Sequence, residues 1–340
     1  MRRVFTSFLT AALAAALLLS GAAWWWLHEP MALRLSPGRQ VVDLEIEPGT
    51  SARGVATAVV AAGAEVPALL LQTWFQLSGQ SRLIKAGSYE LIPGTTPRRL
   101  LRMLVRGEEA LKSVTLVEGW TFVQIRSALQ KAEQLAPDTV GLAPEIIMEK
   151  LGRTGVRPEG RFFPDSYTYT KGSSDLAVLR RAAQAMDKRL AAAWALRSPD
   201  TPLKTPDEAL ILASIIEKET GNPSDRGQIG GVFTNRLRIG MPLQTDPSVI
   251  YGLGEKFDGS LHKRDLALDT PYNTYTRAGL PPTPIAMPGK AALLAAVQPA
   301  PTQALYFVSR NDGSGSSQFS ASLDEHNRAV NQYIRGQKTQ

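Results

Sequence analysis

The segment Val4–Leu27 contains no charged residue and directly follows Arg2 and Arg3. As a helix its 24 residues would measure about 36 Å, enough to cross the roughly 30 Å of hydrocarbon in a bilayer. Trp24–Trp26 fall where an aromatic belt would meet the far interface, and the two arginines orient the N-terminus toward the cytoplasm. A signal peptide cleaved near Gly21–Ala23 is the alternative. The length of the run and the tryptophans favour an uncleaved, single-pass anchor in the inner (cytoplasmic) membrane, with the remaining chain periplasmic or otherwise extracytoplasmic.

The composition indicates folded domains and excludes several kinds of site. Of 340 residues 44% are hydrophobic and 20% are charged, which is typical of a chain that folds into about two domains. There is no Cys, and the three His are scattered without ligand spacing, so we expect no thiol nucleophile, no metal and no cofactor. The net charge of +7 leaves an anionic partner or a solvated basic surface open. Lys and Arg are spread along the chain, which argues against nucleic acid as a partner.

Three short strand–helix units follow the linker at residues 31–40. The β-like runs are Val41–Ile46, Ser88–Ile92 and Ser113–Val117, and the helical patterns after them cover about Ala52–Ala62, Pro97–Arg106 and Thr121–Ala132. The expected N-caps are Thr50, Thr95 or Thr96, and Thr121.

The first two of these units, Val41–Gly107, resemble a LysM-type domain in pattern and length. That fold holds glycan chains, although a small α+β packing module without a ligand fits the same pattern. We therefore expect an α+β chain with an anchor at 1–30 and a LysM-like module at 31–110. A connecting or substrate-groove region at 111–200 and a catalytic domain at 201–340 complete the expected organisation.

A largely apolar helix beginning after Thr205 ends with two carboxylates, Glu217 and Glu219, before Gly221–Pro223. The residues three, four and seven positions before Glu219 are Ile216, Ile215 and Leu212, so Glu219 projects from the most apolar line of the helix. An apolar environment and the negative end of the helix dipole both favour a protonated carboxyl. Such a group suits the general acid of glycosidic cleavage, whereas a structural ion pair is the alternative.

Several segments resemble a known family. Glu219–Pro223 is similar to the Glu-Ser/Thr-x-Asn-Pro signature of lysozyme-like lytic transglycosylases. A longer block resembles the endolytic murein transglycosylase family, the YceG-like proteins. It comprises Leu212–Thr220, Val232–Leu237, Met241–Gly252, Pro271–Tyr275 and Gly279–Pro282, together with Glu159–Gly160 and Phe163–Tyr167. The joint order of these segments is specific, and with the anchor and the LysM-like module the resemblance covers nearly the whole chain.

The resemblance implies a lysozyme-like, YceG-like catalytic domain that cleaves peptidoglycan inside its glycan strands. The bond between N-acetylmuramic acid and N-acetylglucosamine would break without water, leaving a 1,6-anhydro end and terminating nascent strands. Glu219 would be the one catalytic acid and base, since the sugar's own 6-hydroxyl attacks the anomeric carbon. Peptidoglycan synthases are implied partners. Two alternatives are a peptidoglycan-binding scaffold without turnover and a hydrolytic muramidase with Asp246 as second carboxylate.

The other expected site residues supply amide, hydroxyl and carboxylate groups for binding sugars. They are Glu217, Thr220, Asn235, Gln244, Thr245, Asp246, Tyr272, Asn273 and Tyr275. Asp246 also fits a turn that caps Pro247–Ser248. Arg236 and Arg277 either meet carboxylates of the substrate or face solvent.

One residue departs from the family pattern, and the C-terminal part is expected to be structural. Thr283 stands where the family usually has Gly, which constrains a turn. Leu305–Arg310 and Gln318–Ser320 predict a hairpin, and Ser322–Glu325 predicts a capping box that opens a helix. His326 is expected on the surface of that helix.

Overall fold

The structure is a computed structural model that describes residues 2–35 and 40–335, with side chains from residue 13 onward and up to residue 334. Helices and small antiparallel sheets alternate along the chain, which confirms the α+β class. The chain divides into two compact units, residues 1–112 and 113–340. The expected boundary at residue 200 falls inside the second unit.

The first unit begins with α1 (Arg2–His28). Its remaining elements are β1 (Val42–Ile46), α2 (Ala52–Ala62), α3 (Ala68–Leu77), a 3₁₀ turn (Ser81–Leu83), β2 (Gly87–Leu91) and α4 (Pro97–Arg106). Strands β1 and β2 pair antiparallel, with Val42 opposite Leu91. The strand faces and α2, α3 and α4 enclose one apolar core.

One predicted helix cap of this unit is confirmed, and another is wrong by one residue. Thr96 caps α4 by accepting a hydrogen bond from Arg99 N, as expected. The cap of α2 is Ser51, because its hydroxyl accepts from Gly54 N while the Thr50 hydroxyl donates to Glu47 O. Thr50 therefore closes the preceding turn, and the expected cap was displaced by one residue.

Helix α1 contains the uncharged run on which an anchor was expected. The side chains of its first part, through residue 12, lie outside the described residues. From Leu13 to Trp25 its large apolar side chains are mostly solvent-exposed. Within the described chain, no helix meets the combined length and hydropathy needed to cross a membrane.

The second unit is mainly helical. Its helices are α5 (Phe122–Lys131), α6 (Pro144–Lys150), α7 (Asp175–Ala195), α8 (Pro206–Glu219), α9 (Pro223–Arg238), α10 (Asp246–Leu253), α11 (Lys263–Ala267), α12 (Lys290–Val297) and α13 (Leu323–Val330), with a 3₁₀ turn (Gly254–Lys256) and a π-helical end (Asn331–Arg335). Its strands are β4 (Ser166–Thr170), β5 (Tyr306–Ser309), β6 (Ser317–Ser320) and most of β3 (Leu111–Thr115), whose first two residues belong to the first unit. β3 pairs with β4, and β5 pairs antiparallel with β6.

The core around α8 determines where its C-terminal glutamate lies. Seven residues in the middle of α8 are fully buried, and the six apolar ones pack against α7, α9 and α12. At Gly230 in α9 an added Cβ would lie 2.4 Å from the carbonyl oxygen of Ala295 in α12. The two helix backbones therefore approach each other closely, which only glycine permits at this position. This tight packing gives the end of α8 a rigid support.

The expected C-terminal hairpin and helix are confirmed. β5 and β6 form the hairpin, with Phe307 opposite Phe319. The capping box of α13 is complete, because the Ser322 hydroxyl accepts from Glu325 N and the Glu325 carboxylate accepts from Ser322 N.

Candidate active site

Glu219 is the last residue of α8, and only three residues separate it from the first residue of α9, Pro223. Thr205 caps the start of the helix by accepting from Glu208 N, as the sequence predicts. Thr220 is extended, with φ −148° and ψ 134°, and ends the helix. Asn222 then caps α9 by accepting from Ser224 N at 3.0 Å. The Glu-Thr-x-Asn-Pro segment therefore joins two helices and holds the Glu219 carboxyl at the junction.

Glu219 faces a cavity of about 390 Å³. The lining residues come from the ends of α8 and α9, the start of α10, the following loop, the hairpin and α13. They are Glu219, Arg236, Gln244, Asp246, Tyr275, Tyr306, Phe307, Leu323 and His326. Among the described residues, no group of His, Asp and Glu could hold a metal ion.

The Glu219 carboxyl keeps a large protonated fraction near neutral pH, where an ordinary glutamate is fully ionised. Burial raises its pKa to about 7, and the nearby Asp246 adds to that rise. A hydrogen bond from the Thr245 hydroxyl to Oε1 and the positive charge of Arg236 lower the pKa in part. Within the described chain Oε2 has no hydrogen-bond partner and is open to the cavity. One oxygen is thus positioned by the protein, and the other is available to donate a proton.

The segment that positions Thr245 is itself fixed by backbone geometry. Gln244 has a left-handed φ of 49°, a conformation that costs a non-glycine residue about 1–2 kcal/mol. Its N–H donates to Thr274 O at 3.0 Å, and Thr245 N donates to the Thr274 hydroxyl at 3.0 Å. Ser248 closes the arrangement by donating its hydroxyl proton to Thr245 O at 2.8 Å. This network holds the hydroxyl of Thr245 against Glu219.

Asp246 is the first residue of α10 and the second carboxylate of the cavity. The Tyr275 hydroxyl donates to Asp246 Oδ1 at 2.6 Å. Burial and this carboxylate raise the pKa of Tyr275 well above its ordinary value, so the phenol keeps its proton. Asp246 accordingly acts as an acceptor that fixes Tyr275 and adds negative charge beside Glu219.

The expectation that His326 lies on the helix surface is wrong. Its ring stacks on Tyr306 with centroids 5.3 Å apart and lines the cavity of Glu219. Burial lowers the pKa of His326, and the charge of Arg236 lowers it further, so the imidazole is neutral at pH 7. His326 lies 107 residues after Glu219 in the sequence, and the hairpin and α13 bring it to the site. Nothing in the local sequence around His326 indicates this contact.

The structure brings some of the expected site residues together and places others in supporting roles. Gln244, Asp246 and Tyr275 line the cavity with Glu219, and Thr245 binds the Glu219 carboxyl. The expected residues outside the cavity lining are Glu217, Thr220, Asn235, Tyr272 and Asn273.

Each of those five residues has structural partners. Glu217 lies on another face of α8, where Oε2 accepts from Gly289 N at 2.8 Å, and Thr220 accepts from Asn222 N. Asn235 donates to Thr302 O and Ala304 O, and Asn273 donates to the carbonyls of residues 265, 266 and 268.

Tyr272 belongs to a second polar cluster in the same unit. Its hydroxyl shares a hydrogen bond with the Thr283 hydroxyl at 2.8 Å, and its ring packs edge-on against Tyr251. Thr283 keeps a negative φ, so replacing the family's usual glycine introduces no strained backbone. The Tyr251 hydroxyl donates to the buried carboxyl of Glu159 at 3.2 Å, and burial raises the pKa of Glu159 to about 7. This cluster supports the loop after Tyr272.

Comparison with known proteins is consistent with this geometry. The YceG-like family model matches residues 44–332. The endolytic murein transglycosylase of Bacillus subtilis is 28% identical over 313 residues, covering 87% of this chain and 86% of the relative. That of Streptococcus pneumoniae is 26% identical over 329 residues, and the match spans 87% of this chain but 59% of that longer protein. The crystal structure of a YceG-like protein from Listeria monocytogenes matches with a TM-score of 0.51 at 28% identity, covering 86% of this chain and 99% of that one. The chain belongs to the YceG-like family.

Proposed function

We propose that the protein is an endolytic lytic transglycosylase, a lyase that cleaves peptidoglycan inside its glycan strands. The observation that carries the proposal is the Glu219 carboxyl, whose pKa is raised to about 7 and whose Oε2 is open to a polar cavity. The relatives named endolytic murein transglycosylases support the same reaction. The substrate is the bond between N-acetylmuramic acid and N-acetylglucosamine, and the product carries a 1,6-anhydro end.

The reaction needs one group that first donates and then accepts a proton. Glu219 Oε2 donates its proton to the glycosidic oxygen as the bond to the anomeric carbon breaks. The carboxylate formed is stabilised by the Thr245 hydroxyl. It then accepts the proton of the muramoyl 6-hydroxyl, whose oxygen closes on the anomeric carbon. Since that nucleophile belongs to the same sugar, no second catalytic carboxylate is required.

Hydrolysis is the second candidate, because Asp246 lines the same cavity as Glu219. A hydrolase would use Asp246 as a base or nucleophile and release reducing ends. In the transglycosylase, Asp246 fixes Tyr275 and adds negative charge beside Glu219 without forming a bond to the sugar, so Asp246→Asn is expected to slow cleavage while the ends remain 1,6-anhydro. Mass spectrometry of fragments from purified peptidoglycan measures both types of end. Reducing ends from the unaltered protein, lost in Asp246→Asn, would contradict the transglycosylase.

We propose that the first unit is a LysM-like module that holds glycan strands. Its β1–α2–α3–β2 order and the antiparallel pairing of β1 with β2 support this assignment. A second contact with one polymer raises the effective concentration at the site. Deleting the residues before Leu111 is therefore expected to weaken co-sedimentation with peptidoglycan about tenfold or more, with the same anhydro ends formed. Unchanged co-sedimentation would indicate a packing module without glycan affinity.

We also propose that α1 anchors the protein in the inner membrane, with the catalytic unit outside the cytoplasm and near peptidoglycan synthases. The exposed apolar side chains between Leu13 and Trp25 and the uncharged run Val4–Leu27 support an anchor. Release of the full-length protein from membranes by alkaline carbonate would contradict it.

A further inference from the structure

Arg236 is a buried cation without a carboxylate partner. Arg236 is 6% exposed, and among the described residues its hydrogen bonds go to uncharged oxygens and it forms no ion pair. Nε donates to Leu305 O at 2.7 Å, and Nη1 donates to Leu243 O at 2.8 Å. The guanidinium also lies over the Tyr306 ring, 5.3 Å from its centroid. Buried charges in proteins are normally paired, so this positive charge is held in place by neutral groups only.

One part of the guanidinium remains available to a ligand. Within the described chain Nη2 has no hydrogen-bond acceptor, and the atom is partly exposed to solvent. Because Arg236 lines the cavity, Nη2 is a donor that a bound molecule can reach. The carboxyl group whose charge interacts with Arg236 is that of Glu219, which carries no charge in its protonated state.

His326 provides a second donor on the same wall of the cavity. Its Nδ1 is buried without a partner among the described residues, and its Nε2 is not buried. Orphaned buried N–H groups are rarer than orphaned acceptors, so the proton of the neutral ring belongs on Nε2. The ring is held against Tyr306, which also lies beneath Arg236. Tyr306 therefore orients both donors.

We propose that Arg236 and His326 form a carboxylate-binding subsite that takes an acidic substituent of the muramoyl sugar beside the cleaved bond. The proposal rests on the proposed function and adds the chemical class of substituent that the cavity selects. Peptidoglycan offers two sources of such a carboxylate. A peptide-free strand carries it on the lactyl group, and a peptide-bearing strand carries it on the stem peptide.

Binding of a carboxylate here also affects the catalytic acid. In the free protein the charge of Arg236 lowers the pKa of Glu219 and so favours proton loss. A substrate carboxylate on Arg236 neutralises that charge, which keeps Glu219 protonated until the bond breaks. Acidic substrates are thus held in the cavity and meet a larger fraction of Glu219 with its proton in place.

The experiment compares three defined tetrasaccharides of alternating N-acetylglucosamine and N-acetylmuramic acid. One carries free lactyl carboxylates, one has them converted to primary amides, and one carries L-alanyl-D-glutamate on each lactyl group. Binding is measured by calorimetry with full-length protein carrying Glu219→Gln, and turnover is measured with Glu219 present. We expect the better of the two acidic substrates to bind about 10–100-fold more tightly than the amide, since hydrogen bonds to charged groups contribute about 1.5–3 kcal/mol. The acidic substrate that binds more tightly shows whether the carboxylate comes from the lactyl group or from the stem peptide.

Substitutions then test the two donors separately. Arg236→Met is expected to abolish the preference for acid over amide while leaving the affinity for the amide similar. His326→Phe keeps a ring against Tyr306 and should weaken all three ligands by about fivefold through loss of one neutral hydrogen bond. His326→Phe also keeps the proposal testable if Arg236→Met fails to fold. The control Arg264→Gln removes an arginine whose side chain is 77% exposed and should keep the full preference.

Two outcomes would overturn the subsite. In the first, the acidic tetrasaccharides and the amide bind equally well when Arg236 and His326 are both present. In the second, folded Arg236→Met still binds the acid more tightly than the amide. If the unaltered enzyme still forms anhydro ends from the acidic tetrasaccharides and from the amide, the proposed function stands and only the subsite is lost. Failure to cleave any of the three would count against the proposed function itself.

Discussion

Replacing Glu219 with glutamine is expected to reduce cleavage of peptidoglycan by about 10³-fold or more. General acid–base groups contribute about 10²–10⁴-fold each, and Glu219 serves as both acid and base. Glutamine keeps the size of the side chain and can still accept the Thr245 hydrogen bond, but it cannot transfer the proton. The measurement is the rate of appearance of anhydro-muramoyl ends, followed by mass spectrometry.

Glu217→Gln provides the matched control, since the same substitution is made two residues earlier on the same helix. The Glu217 carboxylate accepts from Gly289 N, and a glutamine oxygen can do the same, so most activity should remain. Loss of cleavage in Glu217→Gln with retention in Glu219→Gln would transfer the catalytic role to Glu217. Full activity in both variants would exclude each as the proton donor.

The protein is expected to lose stability as the pH rises from about 4.5 to about 7, and Glu159→Gln should remove much of that loss. Burial raises the pKa of Glu159 from 4.5 to about 7, against the lowering effect of hydrogen bonds from Phe122 N and Tyr251. The folded protein therefore keeps a proton that the unfolded chain has already released. Below pH 4.5 both states are protonated, and above pH 7 the folded state contains a costly buried carboxylate. Integrated over this range, the free energy of unfolding falls by up to about 3 kcal/mol for this group.

Urea unfolding at pH 5 and pH 8 measures the effect. Glu159→Gln should resemble the unaltered protein at pH 5 and be more stable at pH 8, because a neutral amide replaces the ionised carboxylate. Glu219 has a similarly raised pKa, so Glu219→Gln should remove a second part of the pH dependence. Glu255→Gln changes an exposed carboxyl and should leave the pH dependence intact. In the contradicting outcome, the free energy of unfolding changes by the same amount between pH 5 and pH 8 in Glu159→Gln as in the unaltered protein. That result would show that this carboxyl ionises near its ordinary pKa in the folded protein.

Caps, apolar spacing and helix-stopping residues in the sequence predicted the helices whose ends depend on neighbouring residues. The cap at Thr205, the apolar spacing and the Gly221–Pro223 stop gave α8 its bounds, and the same reasoning placed Glu219 at its end. The N-cap at Thr121 and the capping box at Ser322 were likewise predicted correctly. Helix α3 was missed because Pro67 at its N-cap offers no side-chain hydrogen bond.

Features that depend on distant segments could not be predicted from the sequence. The pairing of β3 with β4 and the contact of His326 with the cavity both join residues far apart in the chain. Asn235 and Asn273 were expected to bind sugar, yet their amides are used by backbone carbonyls of neighbouring loops. An amide that stabilises a loop and one that binds a ligand look alike in a sequence, because only the fold shows where its donors point.

The position of α13 divides the wall of the cavity between two parts of the chain. Glu219 and its support by Thr245 lie between residues 219 and 274, whereas Tyr306 and His326 belong to the hairpin and α13. A chain shortened before Leu323 would keep the acid and its hydroxyl partner but lose the imidazole that faces them. Shortening the C-terminus would therefore separate proton transfer from recognition of the substrate within one cavity.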